Sequence, residues 1–171
     1  ETTLEVERMR SETGMPVIPY VKKQHIFTAK TIAAHCVHVD EGEIRALAAS
    51  GVGVAHNPSS NMKLASGSAP IKKMLDLNVN VGIGTDGPAS NNDLDMFEEI
   101  RLTSLMAKLS TGDPTAVNAR TALAMATNAT KAISMAMTLR ESVKPSEAPR
   151  TRASMPLVVS RPTPGGVPWL V

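Results

Sequence analysis

The sequence predicts an α/β fold built around a parallel sheet. From about residue 30 onward, short apolar segments alternate with helix-like segments, and the apolar segments have no polar face. Strands of this kind are covered by helices on both sides, which is typical of parallel sheets. Three such strands do not close a barrel, so the pattern leaves an open doubly wound sheet and a (β/α) barrel as alternatives.

The first predicted strand, residues 31–35, is Thr-Ile-Ala-Ala-His and is expected to be buried. Asp40 then fits the N-cap of a helix, because Glu43, three residues later, completes a capping-box pattern. Gly51 suits the end of that helix. Its apolar stripe consists of Ile44, Leu47 and Ala48.

Two further strands repeat the pattern, over residues 52–56 and 79–84. Ser68 is the predicted N-cap of the helix between them. A longer helix over about 93–110 follows the third strand, and Asp113-Pro114 is predicted to open another helix. The apolar positions that trace these helices are Ile71, Met74, Leu75, Leu94, Phe97, Ile100, Leu105, Leu109, Val117, Ala122, Leu123 and Ala126.

The end of the chain has a different composition. Half of the 12 prolines lie between Pro145 and Pro168, and no helical or strand period persists there. Such a segment is typical of irregular structure. We therefore divide the chain into an ordered part, residues 1–137, and an irregular tail, residues 138–171.

Composition argues against several functional classes. A formal net charge of +2 and an aromatic content of 2% give no basis for nucleic-acid binding. No run of 18 apolar residues is present, so no membrane-spanning helix is expected. A single cysteine, Cys36, cannot form an internal disulfide and fits a reducing compartment, so we expect a cytoplasmic protein. The sequence leaves the oligomeric state open.

Each predicted strand ends in a polar residue that can handle a proton or a metal ion. These residues are His35, His56 and Asp86, and active sites form at the carboxyl ends of parallel strands. Each one alone has a structural alternative, as a locally bonded strand-end histidine or a turn residue. Asp86 is the most informative, because an ionised carboxylate at the tip of a buried strand is costly without a positive partner. Together the three favour metal-assisted hydrolysis.

A second histidine follows the first strand closely, in the segment His35-Cys36-Val37-His38. The H-x-x-H spacing alone is a weak metal motif. We expect the strand to end at His35 and His38 to lie in the following loop.

Two long segments resemble the amidohydrolase superfamily. They are AAHCVHVDEGEIRALAASGVGVAHNPSSNMKLASG and GTDGPASNNDLDMFEEIRLTSLMAK, and the resemblance covers roughly residues 1–133. Within the superfamily the chain is similar to 5-methylthioadenosine/S-adenosylhomocysteine deaminases and the related chlorohydrolase-like aminohydrolases. The resemblance implies a partial (β/α)8 barrel of the TIM type, of which this chain supplies about strands six to eight with their helices.

The resemblance also implies a site with one zinc ion. In the family, an H-x-H motif, the histidine of H-x-x-E-T and the aspartate of G-T-D-G bind the metal. Asp86 matches that aspartate, and Glu1 matches the glutamate of H-x-x-E-T, which protonates the purine ring. His35 matches a histidine that assists the attacking water, from which Asp86 also takes a proton. Residues implied to bind substrate are Glu1, Asp86, Ser90 and His56, with Asn61 and Lys63 as further candidates for the pocket.

The implied reaction is deamination of an adenine nucleoside. Zinc lowers the pKa of its bound water, hydroxide attacks C6 of the ring, and ammonia leaves. One rival interpretation is a triazine- or guanine-type aminohydrolase or chlorohydrolase. The other is a non-catalytic remnant.

The sequence departs from the family pattern at both ends. The H-x-H motif and the histidine of H-x-x-E-T are absent, so only one of the four zinc ligands, Asp86, is present. We therefore expect a fragment of a longer enzyme that does not retain zinc on its own. After about residue 133 the family pattern I-G-S-[IL]-E-x-G-K-x-A-D is missing, which either a frameshift or a genuinely different tail explains.

Overall fold

A three-stranded parallel sheet lies at the centre of the part that the computed structural model describes, residues 1–127. Its strands lie side by side in chain order, and the register pairs Ile32 with Gly53 and Gly53 with Asn80. The predicted α/β fold with a parallel sheet is confirmed. The strands are β1 (Ile32–Ala34), β2 (Gly53–His56) and β3 (Asn80–Ile83).

Helices precede, connect and follow these strands. α1 (Thr3–Thr13) and α2 (Val17–Lys23) come before β1, with a 3-10 turn at Ile26–Thr28. α3 (Glu41–Ala49) connects β1 to β2. The other helices are α4 (Pro58–Lys63), α5 (Ile71–Asp76), α6 (Pro88–Asn91) and α7 (Met96–Thr111), and residues 119–127 are also helical.

The predicted capping box at the start of α3 is confirmed. The Glu43 N–H donates to Oδ1 of Asp40 at 2.8 Å, and the Asp40 N–H donates to Oε2 of Glu43 at 3.1 Å. The other oxygen of Glu43 accepts the N–H of Ile18, in the first turn of α2, at 3.1 Å. One buried carboxylate therefore fixes the starts of two helices.

The hydrophobic core lies between the sheet and the helices α3 and α5. Ile44, Leu47 and Met74 are fully buried there, as the predicted helix periodicity requires. Val54 and Val81 contribute the strand side of the same cluster. Burial of these aliphatic side chains holds β2 and β3 in place, so that both strands end at the same edge of the sheet.

Three local predictions are wrong. β1 is not buried: Ile32 is 47% exposed, because β1 pairs only with β2 among the described residues. Ser68 does not cap α5, which begins at Ile71 with Pro70 at its N-cap. Residues 114–117 form a turn, so the helix predicted from Asp113-Pro114 begins only at residue 119.

The long helix α7 is confirmed, but its buried face is not its apolar one. Glu99, Thr103 and Ala107, spaced by four residues, are the buried side chains. Phe97 and Leu109 are 82% and 87% exposed. Of the predicted apolar stripe, Ile100 packs against the core, whereas most of the other positions are exposed, so the periodicity predicted the helix but only part of the side that packs.

The predicted tail, residues 138–171, lies outside the described residues, so the proposed domain boundary stays a prediction. Within residues 1–127, no helix combines the length and the apolar character that crossing a membrane requires.

Candidate active site

The ends of β1 and β3 bring three predicted catalytic side chains together. Nε2 of His35 lies 3.5 Å from Oε2 of Glu1 and 3.9 Å from Oδ2 of Asp86. The side chains of His35, Glu1 and Asp86 are 13%, 21% and 33% exposed, so each is partly shielded from solvent. The expected meeting of polar residues at the carboxyl ends of the strands is thus observed for His35 and Asp86.

Both strand-end residues have left-handed backbone conformations. φ is 62° at His35 and 61° at Asp86, in a region that residues other than glycine rarely occupy. The His35 N–H still donates to the carbonyl of Ala55 at 2.8 Å, so the chain turns immediately after the last bond of the ladder. Backbone strain of this kind is concentrated at functional sites.

The imidazole of His35 is held in one orientation by Asn61. Oδ1 of Asn61 lies 2.8 Å from Nδ1 of His35, and since an amide oxygen only accepts, Nδ1 carries the proton. In the neutral ring Nε2 then has a free lone pair, on the side that faces Glu1 and Asp86. This tautomer suits a group that accepts a proton from water.

Two serine hydroxyls hold the carboxylate of Asp86. Ser60 and Ser90 donate to the same oxygen, Oδ2, at 2.6 and 2.7 Å. Partial burial raises the pKa of Asp86, but these two hydrogen bonds, the Gly87 N–H and the nearby His35 outweigh it and leave the pKa below its ordinary value. Asp86 is therefore ionised at neutral pH.

Glu1 is anchored by a second pair of residues. The Ser66 hydroxyl donates to Oε1 of Glu1 at 2.6 Å, and Nε2–H of His38 donates to the Ser66 carbonyl at 2.8 Å. His38 lies in the loop after β1, as predicted, and does not share a face with His35. The H-x-x-H motif thus separates into a histidine in the site and a histidine that orders the Ser66 loop.

His56 and Lys63, two further predicted pocket residues, have different surroundings. His56 is only 1% exposed, and its Nδ1 atom has no hydrogen-bond partner within the described part of the chain. Burial, together with the nearby His35, lowers the pKa of His56 to about 4, so its ring is neutral. Lys63 is exposed and donates to the Ala89 carbonyl at 2.7 Å and to Oδ1 of Asn92 at 2.6 Å. Their roles in substrate binding stay predictions.

Cys36, next to His35, does not add a nucleophile. The thiol is partly buried, and burial raises its pKa to about 11. At neutral pH the side chain is therefore a protonated thiol.

Sequence reasoning missed several residues of this site. Ser60 and Ser66 contact Asp86 and Glu1 across long stretches of chain, and Glu99 is 1% exposed on α7. A glutamate on a helix and serines in loops usually face solvent, so no local signal distinguished them. The short helix α4, which places Ser60, was predicted as a loop.

The metal-binding capacity of the chain is incomplete. No cluster of three histidine, cysteine, aspartate or glutamate side chains within residues 1–127 is arranged to hold a metal ion. Asp86 is the single side chain to which the resemblance assigns a zinc bond, and a catalytic zinc ion needs three protein ligands or more. The donors described here do not by themselves fit a zinc site.

The fold and the site define an α/β protein with a histidine between two carboxylates at the ends of parallel strands, an arrangement suited to hydrolysis. This chain belongs to the amidohydrolase family, whose sequence model matches residues 1–138. A 5-methylthioadenosine/S-adenosylhomocysteine deaminase from Dictyoglomus thermophilum is 56% identical over 127 residues, which are 74% of this chain and 30% of that relative. The chain therefore spans about a third of the length of the curated relatives that it matches.

Solved structures agree with this assignment. An adenosine deaminase from Xanthomonas campestris with bound zinc has a TM-score of 0.67 and 41% identity, over 74% of this chain and 29% of that chain. A guanine deaminase from C. acetobutylicum with bound guanine has a TM-score of 0.69 and 26% identity, over 74% of this chain and 32% of that chain. The predicted resemblance is confirmed.

Proposed function

We propose that this chain supplies part of the active site of a zinc-dependent aminohydrolase that deaminates adenine nucleosides of the 5-methylthioadenosine/S-adenosylhomocysteine type. One observation carries the proposal: Oε2 of Glu1 and Oδ2 of Asp86 both lie within 4 Å of Nε2 of His35. The 56% identity to a deaminase named for these substrates supports the substrate class.

The proposed architecture is about strands six to eight of a (β/α)8 barrel, with residues 1–137 as its ordered part. An open cavity of about 380 Å³ supports it, because α1, α2 and the free side of β1 line that cavity. A barrel strand preceding β1 would fill such a space and pair with β1. The exposed Ile32 would then become covered.

The side chains present divide the proton transfers between them. Asp86, together with ligands from outside the described residues, would hold the zinc ion, which would supply an activated water. Nε2 of His35 and the ionised Asp86 would be placed to accept protons from such a water, and a protonated Glu1 would be placed to donate to the purine ring nitrogen. Ser66 fixes the direction of the Glu1 carboxylate through its 2.6 Å hydrogen bond. Ser90 and His56 are proposed to border the purine, as the resemblance implies.

The proposed partner is a small purine nucleoside, and a cytoplasmic location stays a prediction. The guanine deaminase likeness keeps a guanine- or triazine-type substrate as the second candidate, since it has the higher TM-score of the two solved structures. The incomplete set of metal ligands keeps a non-catalytic remnant as an outcome of the test.

A segment exchange tests the proposal. In this hybrid enzyme, residues 1–127 of the chain replace the matching segment of the Dictyoglomus thermophilum deaminase, and ammonia release from 5-methylthioadenosine is measured. We expect activity that Asp86→Asn lowers by at least about 100-fold, the lower end of the range for an acid–base group. The matched control, Asp76→Asn, alters an aspartate in a surface pair with Lys72 and should leave activity unchanged.

The isolated 171-residue chain provides the complementary measurement. We expect it to contain no stoichiometric zinc and to release no ammonia. A folded, zinc-loaded hybrid without any deaminase activity would overturn the proposed function, and zinc-dependent activity of the isolated chain would overturn the proposal that it is a partial site.

A further inference from the structure

Glu99 is a buried carboxylate that the proposed chemistry does not use. It lies on the inward face of α7 and is 1% exposed. Oε2 accepts the Ser59 N–H at 3.1 Å, and Oε1 accepts Nδ2 of Asn91 at 2.7 Å. Because a buried carboxylate is costly unless it is hydrogen-bonded, these two donors fix where α4 and α6 lie relative to α7.

The two donors stand next to the serines that hold Asp86. Ser59 precedes Ser60 in α4, and Asn91 follows Ser90 in α6. Ser60 and Ser90 both donate to Oδ2 of Asp86, at 2.6 and 2.7 Å. Glu99 is therefore connected to Oδ2 of Asp86 in two ways, through Ser59 and Ser60 in α4 and through Asn91 and Ser90 in α6.

A third hydrogen bond connects Asn91 to the backbone that follows β3. Nδ2 of Asn91 also donates to the carbonyl of Thr85, the residue before Asp86, at 2.8 Å. The Asn91 side chain thus joins Glu99 to the left-handed turn that presents Asp86.

We propose that Glu99 is a positioning residue that aligns the Ser60 and Ser90 hydroxyls on Oδ2 of Asp86 and thereby sets the rotation of that carboxylate. The effect on catalysis rests on the proposed function, but the alignment of the hydroxyls does not. A purely structural anchor would hold the helices together without controlling the serine rotamers.

Glu99→Gln separates these roles. The amide keeps the shape of the side chain, but its NH2 group replaces one of the two oxygens. In the same position it therefore faces either the Ser59 N–H or Nδ2 of Asn91, both donors, and one of the two hydrogen bonds is lost. Asn91→Ala is the second variant: it removes the path to Ser90 and leaves the Ser59 bond intact. Glu98→Gln is the matched control, since Glu98 is the exposed neighbour on the same helix.

The serine rotamers are measured by NMR couplings in the full 171-residue chain. We expect single rotamers for Ser60 and Ser90 in the unmodified chain and in Glu98→Gln, and averaged rotamers for at least one of them in Glu99→Gln. In Asn91→Ala, Ser90 alone should become averaged. Fixed rotamers in a folded Glu99→Gln chain would overturn the proposal, and if that variant does not fold, a fixed Ser90 in Asn91→Ala would overturn it.

The hybrid enzyme gives the catalytic readout. Glu99→Gln should lower kcat by about 10–100-fold with KM unchanged, the usual effect of losing a group that orients a metal ligand. A folded variant with unchanged kcat would show that Glu99 only anchors the helices and does not position Asp86 for catalysis. An inactive unmodified hybrid would contradict the proposed function instead, while the rotamer measurement still decides the role of Glu99.

Discussion

Nε2 of His35 lies 3.5 Å from Oε2 of Glu1, although two helices and the first strand separate the two residues in the chain. No sequence motif contains both Glu1 and His35. In the neutral ring Asn61 holds the proton on Nδ1, so that the lone pair of Nε2 faces the Glu1 carboxyl group. In the proposed reaction, Glu1 as the acid and His35 as the base would act on the same bound molecule.

The tautomer of His35 is the first testable consequence. Asn61→Ala removes the acceptor for Nδ1–H, so the neutral ring should populate both tautomers, and the kcat of the hybrid should fall by about 10–100-fold. Nitrogen chemical shifts of His35 in the 171-residue chain report the tautomer directly. Asn80→Ala, on an exposed position of β3, is the control. A single Nδ1–H tautomer in Asn61→Ala would contradict this account of the site.

Glu1 is expected to transfer a proton during turnover. Glu1→Gln keeps an oxygen that can accept from Ser66 but removes the ionisable group, so the kcat of the hybrid should fall by about 10²–10⁴-fold. Steady-state kinetics on 5-methylthioadenosine measure the loss. Glu7→Gln, on the exposed side of α1, serves as the control. Comparable activity of Glu1→Gln and Glu7→Gln would exclude Glu1 as the acid.

The buried His56 predicts how stability depends on pH. Its pKa falls from 6.5 in the unfolded chain to about 4 in the fold, mainly because burial disfavours the charged ring. Between these two pH values the unfolded state binds more protons than the folded state does. The contribution of His56 to the free energy of unfolding is therefore complete above about pH 6.5 and is lost as the pH falls towards 4. This difference between the two pKa values of His56 corresponds to about 3 kcal/mol in the free energy of unfolding, at about 1.36 kcal/mol per pKa unit.

Urea unfolding of the 171-residue chain at a series of pH values measures this dependence. His56→Gln should flatten the stability curve between pH 6.5 and pH 4, whereas His25→Gln, a substitution at an exposed histidine, should not. An equal slope in the His56→Gln chain would show that another group titrates in this range.

Glu43 is expected to stabilise the fold more than an ordinary capping residue does. Glu43→Ala removes both the bond to Asp40 and the bond to the Ile18 N–H, and the loss of a buried partner costs about 1–3 kcal/mol. Glu41→Ala, two residues earlier on the exposed surface, removes only surface ion pairs with Arg45 and Lys73, which contribute little because solvent screens them. Denaturant midpoints compare the two variants. Equal losses would mean that the contact with α2 contributes nothing.

Local patterns were sufficient for the sheet and for part of the site. The capping box of Asp40 and Glu43 lies within four residues, and apolar periodicity places Ile44 and Leu47 on one face. Parallel strands carry their C-terminal residues to one edge, so the proximity of His35 and Asp86 followed from the strand assignment alone.

Contacts between distant segments were beyond local patterns. Glu99 is polar yet buried, and Phe97 is apolar yet 82% exposed, because α4 packs on the side of α7 that carries Glu99 and Asn91 of α6 bonds to Glu99 there. Hydrophobic periodicity instead places Phe97 on the buried face of α7 and Glu99 on its exposed face. Ser60 and Ser66 became site residues only through hydrogen bonds to Asp86 and Glu1, and nothing in their sequence neighbourhood encodes those partners.

The most direct test of the central claim is the ratio of kcat/KM for 5-methylthioadenosine to that for guanine, measured by ammonia release from the zinc-loaded hybrid. If residues 1–127 supply the proposed part of a deaminase site, the hybrid prefers 5-methylthioadenosine, as the parent enzyme is expected to do. A folded hybrid that releases ammonia from guanine but not from 5-methylthioadenosine would contradict the claim.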